Sequence, residues 1–108
     1  MKRTLFHYSN DGIEIHITAG FEGGELVIEA LESGEEVLAQ YGDLHCEYAV
    51  ILPEESVAEL RHVLNLNPFA RKDLLEALVT KFNDCDCVLE IKTYLEKQRI
   101  AYKLYSWA

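Results

Sequence analysis

The chain has little of what marks secreted, membrane-spanning or disordered proteins. Of its 108 residues only two are proline and three are cysteine. The scarcity of proline and the lack of any polar tract exclude a long disordered segment. The longest apolar run, residues 49–53, is far shorter than the roughly 20 residues that a membrane-spanning helix needs. We therefore predict a single folded domain over residues 1–108.

An odd number of cysteines in a chain of this size indicates free thiols in a reducing compartment. The chain begins with Lys2 and Arg3 but turns polar before the apolar region of a signal peptide could form. These two features predict a cytoplasmic protein without a cleavable leader.

Basic residues are scarce in the first half of the chain. Residues 1–60 contain 13 Asp and Glu against Lys2 and Arg3, a formal charge of −11, whereas residues 61–108 carry a formal charge of +2. A negative field of this kind repels nucleic acid and anionic lipid and attracts basic macromolecules. We expect a protein partner, and neither nucleic acid nor a membrane.

The apolar pattern of the first half is that of antiparallel strands. Ile13, Ile15 and Ile17 alternate with polar residues, which predicts a strand, and Asp11-Gly12 predicts a hairpin turn that pairs it with residues 4–8. Further strands are expected over residues 25–31, 35–41 and 45–52, the last central in the sheet because it becomes more apolar toward its end. A final strand over residues 100–107 could join either edge.

Helical signals fill the second half. Pro53-Glu54-Glu55 is typical of a helix start, with proline at the first helical position. Apolar residues at helical spacing predict a second helix ending near Phe82 and a third over about residues 86–98. The order of elements predicts an α+β fold, in which a mostly antiparallel sheet of five to six strands has about three helices on one face.

Catalytic and metal-binding motifs are missing. Cys85-Asp86-Cys87 lacks the second ligand pair of a structural zinc site, and the histidines lack metalloprotease spacing. We interpret Cys87 as a small inward-facing residue of the third helix, and Cys85 as a thiol that the helix start could make reactive. The sequence therefore predicts no catalytic residue, no metal site and no cofactor.

The segment Gly20-Phe21-Glu22-Gly23-Gly24 is expected to be a loop between strands. It lacks the Gly-Lys-Ser/Thr ending of a phosphate-binding loop, and Glu22 would repel phosphate. Phe21 at the tip of such a loop is either an anchor for a protein partner or a residue packed back on the core.

Acidic residues between the second strand and the middle of the chain have a collective effect. On strands, Glu25 and Glu29 share a face, and the acids from Glu32 onward cluster at one end of the sheet. A solvated face that serves solubility is the alternative interpretation. The residues predicted to bind a partner are Phe21, Glu22, Glu25, Glu32, Glu35, Glu36, Tyr41, Asp43 and Glu47.

Four features together resemble a known group: the acidic meander, the helix entry at Leu52-Pro53-Glu54-Glu55, the helix from Asp84-Cys85-Asp86-Cys87 to Leu95 and the ending over residues 100–107. This succession is similar to small bacterial immunity proteins of contact-dependent growth inhibition and related polymorphic toxin systems. The resemblance implies a cognate toxin domain, often a nuclease with a cationic cleft, that the immunity protein binds and blocks, with one copy of each in the complex. The acids would then stand in for substrate phosphates.

Two alternatives remain open at the level of sequence. One is a non-catalytic adaptor or regulatory subunit whose helical face carries the contact through Arg61, Arg71, Lys72 and Lys81. The other is a small enzyme that depends on a metal ion or on the thiol of Cys85.

Overall fold

A computed structural model describes residues 2–10, 12–34, 45–66, 71–84 and 87–107. Four strands come first, three helices follow, and a fifth strand ends the chain. The strands are β1 Lys2–Asn10, β2 Ile13–Glu22, β3 Glu25–Gly34, β4 His45–Leu52 and β5 Lys103–Trp107. The helices are α1 Glu54–Val63, α2 Arg71–Lys81 and α3 Cys87–Lys97. This arrangement confirms the predicted α+β fold.

The five strands form one sheet in the order β1-β2-β3-β4-β5, and every neighbouring pair is antiparallel. β4 is an inner strand, as the apolar residues toward its end predicted. β5 pairs with β4, which resolves the question of which edge the final strand joins. The strand expected over residues 35–41 lies outside the described residues.

The β2–β3 hairpin corrects the expected loop at Gly20–Gly24. Both strands run up to a two-residue turn, where Gly23 and Gly24 have φ of 56° and 89°. Two successive positive φ values define a type I′ turn, which glycine adopts without steric cost. Gly20, Phe21 and Glu22 therefore belong to β2, and Phe21 is not at a loop tip.

α1 and α3 end in the same way. Pro53 is the N-cap of α1, so the helix begins at Glu54, one residue after the proline that was predicted to be its first helical residue. At the other end Asn65 has a φ of 58°, and the N–H of Leu66 donates to the carbonyl of Arg61. Arg99, with a φ of 57°, ends α3 through the equivalent bond from Ile100. A left-handed residue followed by an apolar one is the usual form of such a helix end.

The core lies between the helices and one face of the sheet. α2 packs against β1 and β2, and α1 packs against β3 and β4. Alternation along each strand points every second side chain at the helices. The largest fully buried side chains are Ile17, Leu26, Ile28, Val50, Leu52, Leu60, Leu74, Leu75, Leu78, Ile91 and Leu95.

Among the described residues, no helix has both the length and the apolar character needed to cross a membrane.

Candidate functional site

The described helices leave one face of the sheet uncovered, and we call it the open face. Strand register places its residues in rows across the sheet, of which Thr4-Thr18-Glu29-Ala49-Tyr105 is the central one. The acidic side chains of the open face are Glu14, Glu22, Glu25, Glu29 and Glu47, and its lysines are Lys2 and Lys103. The open face therefore carries an excess of negative charge.

Three acids of β2 and β3 on the open face are presented to solvent. Glu22 and Glu25 are directly opposite each other beside the β2–β3 turn. Like charges in this position repel each other in the isolated protein. Within the described ranges, neither of them nor Glu29 forms an ion pair with lysine or arginine. A cationic partner would relieve this repulsion, which favours binding through these side chains.

A shallow depression of about 310 Å³ lies on the open face. Its floor is at Ala49, which has Glu29 opposite it on β3 and Tyr105 opposite it on β5. Glu47 and Ile51 line it two residues away in either direction along β4, and Val27 completes the wall. Because the methyl group of Ala49 is much shorter than the side chains around it, the sheet surface is hollow at this point.

Two residues that were predicted to bind a partner lie on the helix side of the sheet. Phe21 packs against the core, and the guanidinium of Arg61 lies 5.6 Å from the centre of its ring. Of the two roles considered for Phe21, packing on the core is therefore the one observed. Glu32 lies within β3, opposite Ile15, and accepts a hydrogen bond of 3.3 Å from the hydroxyl of Tyr48.

The remaining predicted residues divide as follows. Glu22, Glu25 and Glu47 are on the open face, and Glu25 and Glu29 share a face as expected. Glu35, Glu36, Tyr41 and Asp43 lie outside the described residues.

The histidines of β1 and β2 form a small polar group at the far side of the open face. The rings of His7 and His16 meet edge to face with their centres 5.2 Å apart. His7 lies 3.8 Å from a carboxylate oxygen of Glu14, and the hydroxyl of Thr4 lies 3.3 Å from Nε2 of His16. In the part of the chain that the structure describes, no group of three or more His, Cys, Asp or Glu side chains could hold a metal ion.

The thiol of Cys87 is buried at the start of α3, which confirms that this residue faces inward. Burial raises the pKa of the thiol to about 11, and the negative charges of Asp84 and Glu90 add to the effect. A thiol with so high a pKa is protonated at neutral pH and is a poor nucleophile. Cys85 lies outside the described residues.

Two basic residues of the helical face are engaged within the molecule. Arg61 stacks on Phe21, and its buried Nε has no hydrogen-bond partner among the residues that the structure describes. Lys81 lies over the rings of Phe82 and Tyr94, at 5.8 and 5.1 Å. Both contacts hold cations against aromatic faces of the same chain, which leaves these cations less available to a partner than the adaptor hypothesis requires.

Sequence reasoning missed the apolar part of the open face. Val27, Ala49 and Ile51 were interpreted only as strand residues. The signal that could have identified them is the register, because it places Ala49 between Glu29 and Tyr105.

The chain matches no family model, and no curated protein or solved structure is significantly similar to it.

Proposed function

We propose that this protein is a non-catalytic inhibitor of the immunity type, which binds a basic toxin domain through the open face and blocks its active site. The observation that carries the proposal is the composition of that face. Glu22, Glu25 and Glu29, which form no ion pair with lysine or arginine of the described residues, share a sheet surface with an apolar depression, and the described helices do not cover that surface. Negative side chains speed the encounter with a cationic partner, and apolar contacts slow its release.

The rigidity of the scaffold supports the same function. The acids of the open face project from paired strands, so their spacing is fixed before the partner arrives. Binding through such a surface orders few groups, and most of the interaction energy is retained as affinity. A preformed acidic sheet is therefore well suited to mimic the phosphates of a nucleic-acid substrate.

Growth rescue tests the proposal directly. The proposal expects a large protein to be encoded beside this one, and the carboxy-terminal domain of that protein would be expressed in bacteria with and without this chain. We expect the domain alone to arrest growth, co-expression to restore it, and the two proteins to purify together. An adjacent domain that is not toxic, or toxicity that this chain leaves unchanged, would contradict the proposal.

Charge reversal tests whether the open face is the surface that binds the toxin domain. Glu22→Lys with Glu25→Lys should abolish rescue, because the new lysines repel a cationic partner. Glu55→Lys with Glu59→Lys makes the same charge change on α1, where both residues are exposed, and should leave rescue intact. Loss of rescue in the α1 variant alone would place the contact on the helices.

The adaptor hypothesis keeps one supporting observation. Leu89 on α3 is 61% exposed and lies beside a groove that Phe82, Tyr94 and Lys97 also line. An exposed leucine beside a groove is a common feature of partner contacts. Leu89→Ser should leave growth rescue unchanged if the open face is the binding surface, and should abolish co-purification if the helices are.

A further inference from the structure

The depression at Ala49 has the size and the lining of a site for one long side chain. Its volume of about 310 Å³ lies at the low end of the roughly 300–1,000 Å³ range of ligand pockets. The floor and one wall are apolar, formed by Val27, Ala49 and Ile51. These groups suit the methylene stem of a residue that enters the depression along the sheet surface.

Two carboxylates stand at the rim. Glu29 is opposite Ala49, and Glu47 is two residues before Ala49 on the same strand. This diagonal relation separates the two residues by roughly 7–8 Å, and their Cβ atoms by somewhat less. A planar group with donors on more than one edge can reach carboxylates on two sides, and a guanidinium has five such N–H donors.

The third element of the rim is aromatic. Tyr105 is 58% exposed and faces Glu29 across Ala49. Guanidinium groups stack on tyrosine rings, whereas a lysine ammonium is a compact, strongly hydrated charge. The depression thus offers an apolar floor for the methylene stem of arginine, carboxylates for its charge and a tyrosine ring on which its guanidinium can stack.

We propose that this depression receives an arginine side chain of the protein partner. The stem of that arginine packs on Val27, Ala49 and Ile51, and its guanidinium lies between Glu29 and Glu47 and against Tyr105. The proposal rests on the proposed function, since it names the group of the basic partner that the open face recognises.

The test uses three blocked tripeptides, Gly-Arg-Gly, Gly-Lys-Gly and Gly-citrulline-Gly, titrated into the ¹⁵N-labelled protein and followed by amide chemical shifts. Citrulline keeps the shape of arginine but is neutral. We expect the arginine peptide to shift amides around Ala49 and Tyr105, the lysine peptide to bind several-fold more weakly, and citrulline to bind weakest. Equal binding of arginine and citrulline, or shifts confined to the helices, would overturn the proposal.

Matched variants separate the depression from general negative charge. Ala49→Leu fills the floor without changing any charge, and Glu29→Gln with Glu47→Gln removes the two rim charges. Each of these changes should weaken the binding of the arginine peptide about tenfold, as expected when a charged hydrogen bond or its site is lost. Glu22→Gln with Glu25→Gln removes the same charge from the same face away from the depression, and should change binding less than about twofold. Equal losses in the last two variants would show unspecific attraction and would refute the site.

The failures of the two proposals are distinguishable. If the arginine peptide does not bind while growth rescue still depends on Glu22 and Glu25, the arginine site is wrong and the inhibitor function stands. If the peptide binds as expected but no toxin is neutralised, the site is correct and its partner belongs to another class. Shifts around Ala49 that grow with protein concentration, without peptide, would identify a second copy of this chain as the occupant and would refute the arginine site.

Discussion

The two faces of the sheet carry different kinds of side chain on the same strands. On β3, Leu26, Ile28 and Ala30 are completely buried against the helices, while Glu25 and Glu29 on the alternate positions reach solvent. One backbone therefore supplies both a core and a charged surface, because neighbouring residues of a strand point to opposite sides. The core and the charged surface are therefore encoded in alternate positions of one segment. Substitutions on one face should act on stability separately from those on the other face.

The largest expected difference between the faces is in stability. Ile28→Ala should lower the free energy of unfolding by about 3–4 kcal/mol, because a fully buried isoleucine leaves a cavity among the helices. Ile51→Ala removes the same atoms from the open face, where the side chain is only partly buried, and should cost about 1 kcal/mol. Urea unfolding followed by circular dichroism measures both values. Equal losses would mean that the open face is covered as thoroughly as the helix face.

The β2–β3 turn offers a second comparison between adjacent glycines. A Cβ at Gly24 would contact the carboxylate of Glu54, whereas a Cβ at Gly23 would meet open space. The positive φ should cost each alanine variant about 1 kcal/mol of the free energy of unfolding, and Gly24→Ala should lose slightly more because the exposed side chain of Glu54 has to turn aside.

Glu54→Ala in the Gly24→Ala background isolates the contact. It should recover part of the lost stability in thermal unfolding, because the carboxylate that the new methyl group meets is gone. No recovery would show that backbone strain accounts for the whole effect and that the tip of the hairpin does not depend on α1.

The buried thiol of the helix face should make stability depend on pH. Cys87 has a pKa of about 11 in the folded protein against an ordinary value of 9.0. Between these values the unfolded chain loses a proton that the folded chain keeps, so the stabilising contribution is complete below pH 9 and is lost as the pH rises toward 11. The expected loss is about 1–2 kcal/mol.

Cys87→Ala is the matched control for that measurement. Urea unfolding at a series of pH values should show a shallower decline for the variant than for the wild-type protein. Parallel declines would assign the effect to other groups, such as Tyr102, whose pKa is raised by the hydrogen bond that its hydroxyl donates to Glu96.

The smallest effect is expected at the edge of the sheet. Arg3, on the helix side of β1, forms an ion pair with Glu76 of α2, and both side chains are more than 40% exposed. A double-mutant cycle with Arg3→Ala and Glu76→Ala should give a coupling energy below about 0.5 kcal/mol, since water and salt screen exposed pairs. A coupling above about 1 kcal/mol would mean that this contact, and not apolar burial, fixes α2 on the sheet.

Local patterns predicted most of the fold, and long-range pairing set the rest. The alternation at Ile13–Ile17 and the Pro53-Glu54-Glu55 start were sufficient to place β2 and α1. Phe21 was predicted to lie in a loop because glycines surround it. The inward and outward alternation of β2 nevertheless continues through this segment, with Phe21 on the helix side and Glu22 on the open face. The edge that β5 joins depends on contacts across some fifty residues, which no local pattern contains.

The candidate site was predictable in its charge and not in its shape. The excess of acid in the first half is visible in the sequence, and three of the predicted acids lie on the open face. The depression exists because β5 places Tyr105 beside Ala49 and β3 places Glu29 on the other side. A short side chain such as Ala49 forms a depression only where the strand register places longer side chains around it.

The rate of association with the proposed toxin partner is the most direct test of whether the open face carries the binding. Stopped-flow measurements over a range of salt would compare two variants with equal loss of charge, one on each side of the sheet. The open-face variant carries Glu22→Gln, Glu25→Gln and Glu29→Gln, and the helix-side variant carries Glu55→Gln, Glu59→Gln and Asp73→Asn. We predict that the open-face variant associates about tenfold more slowly at low salt and depends less on salt, while the helix-side variant stays close to the wild-type protein. Equal slowing of both variants, or slowing of the helix-side variant alone, would contradict the assignment of binding to the open face.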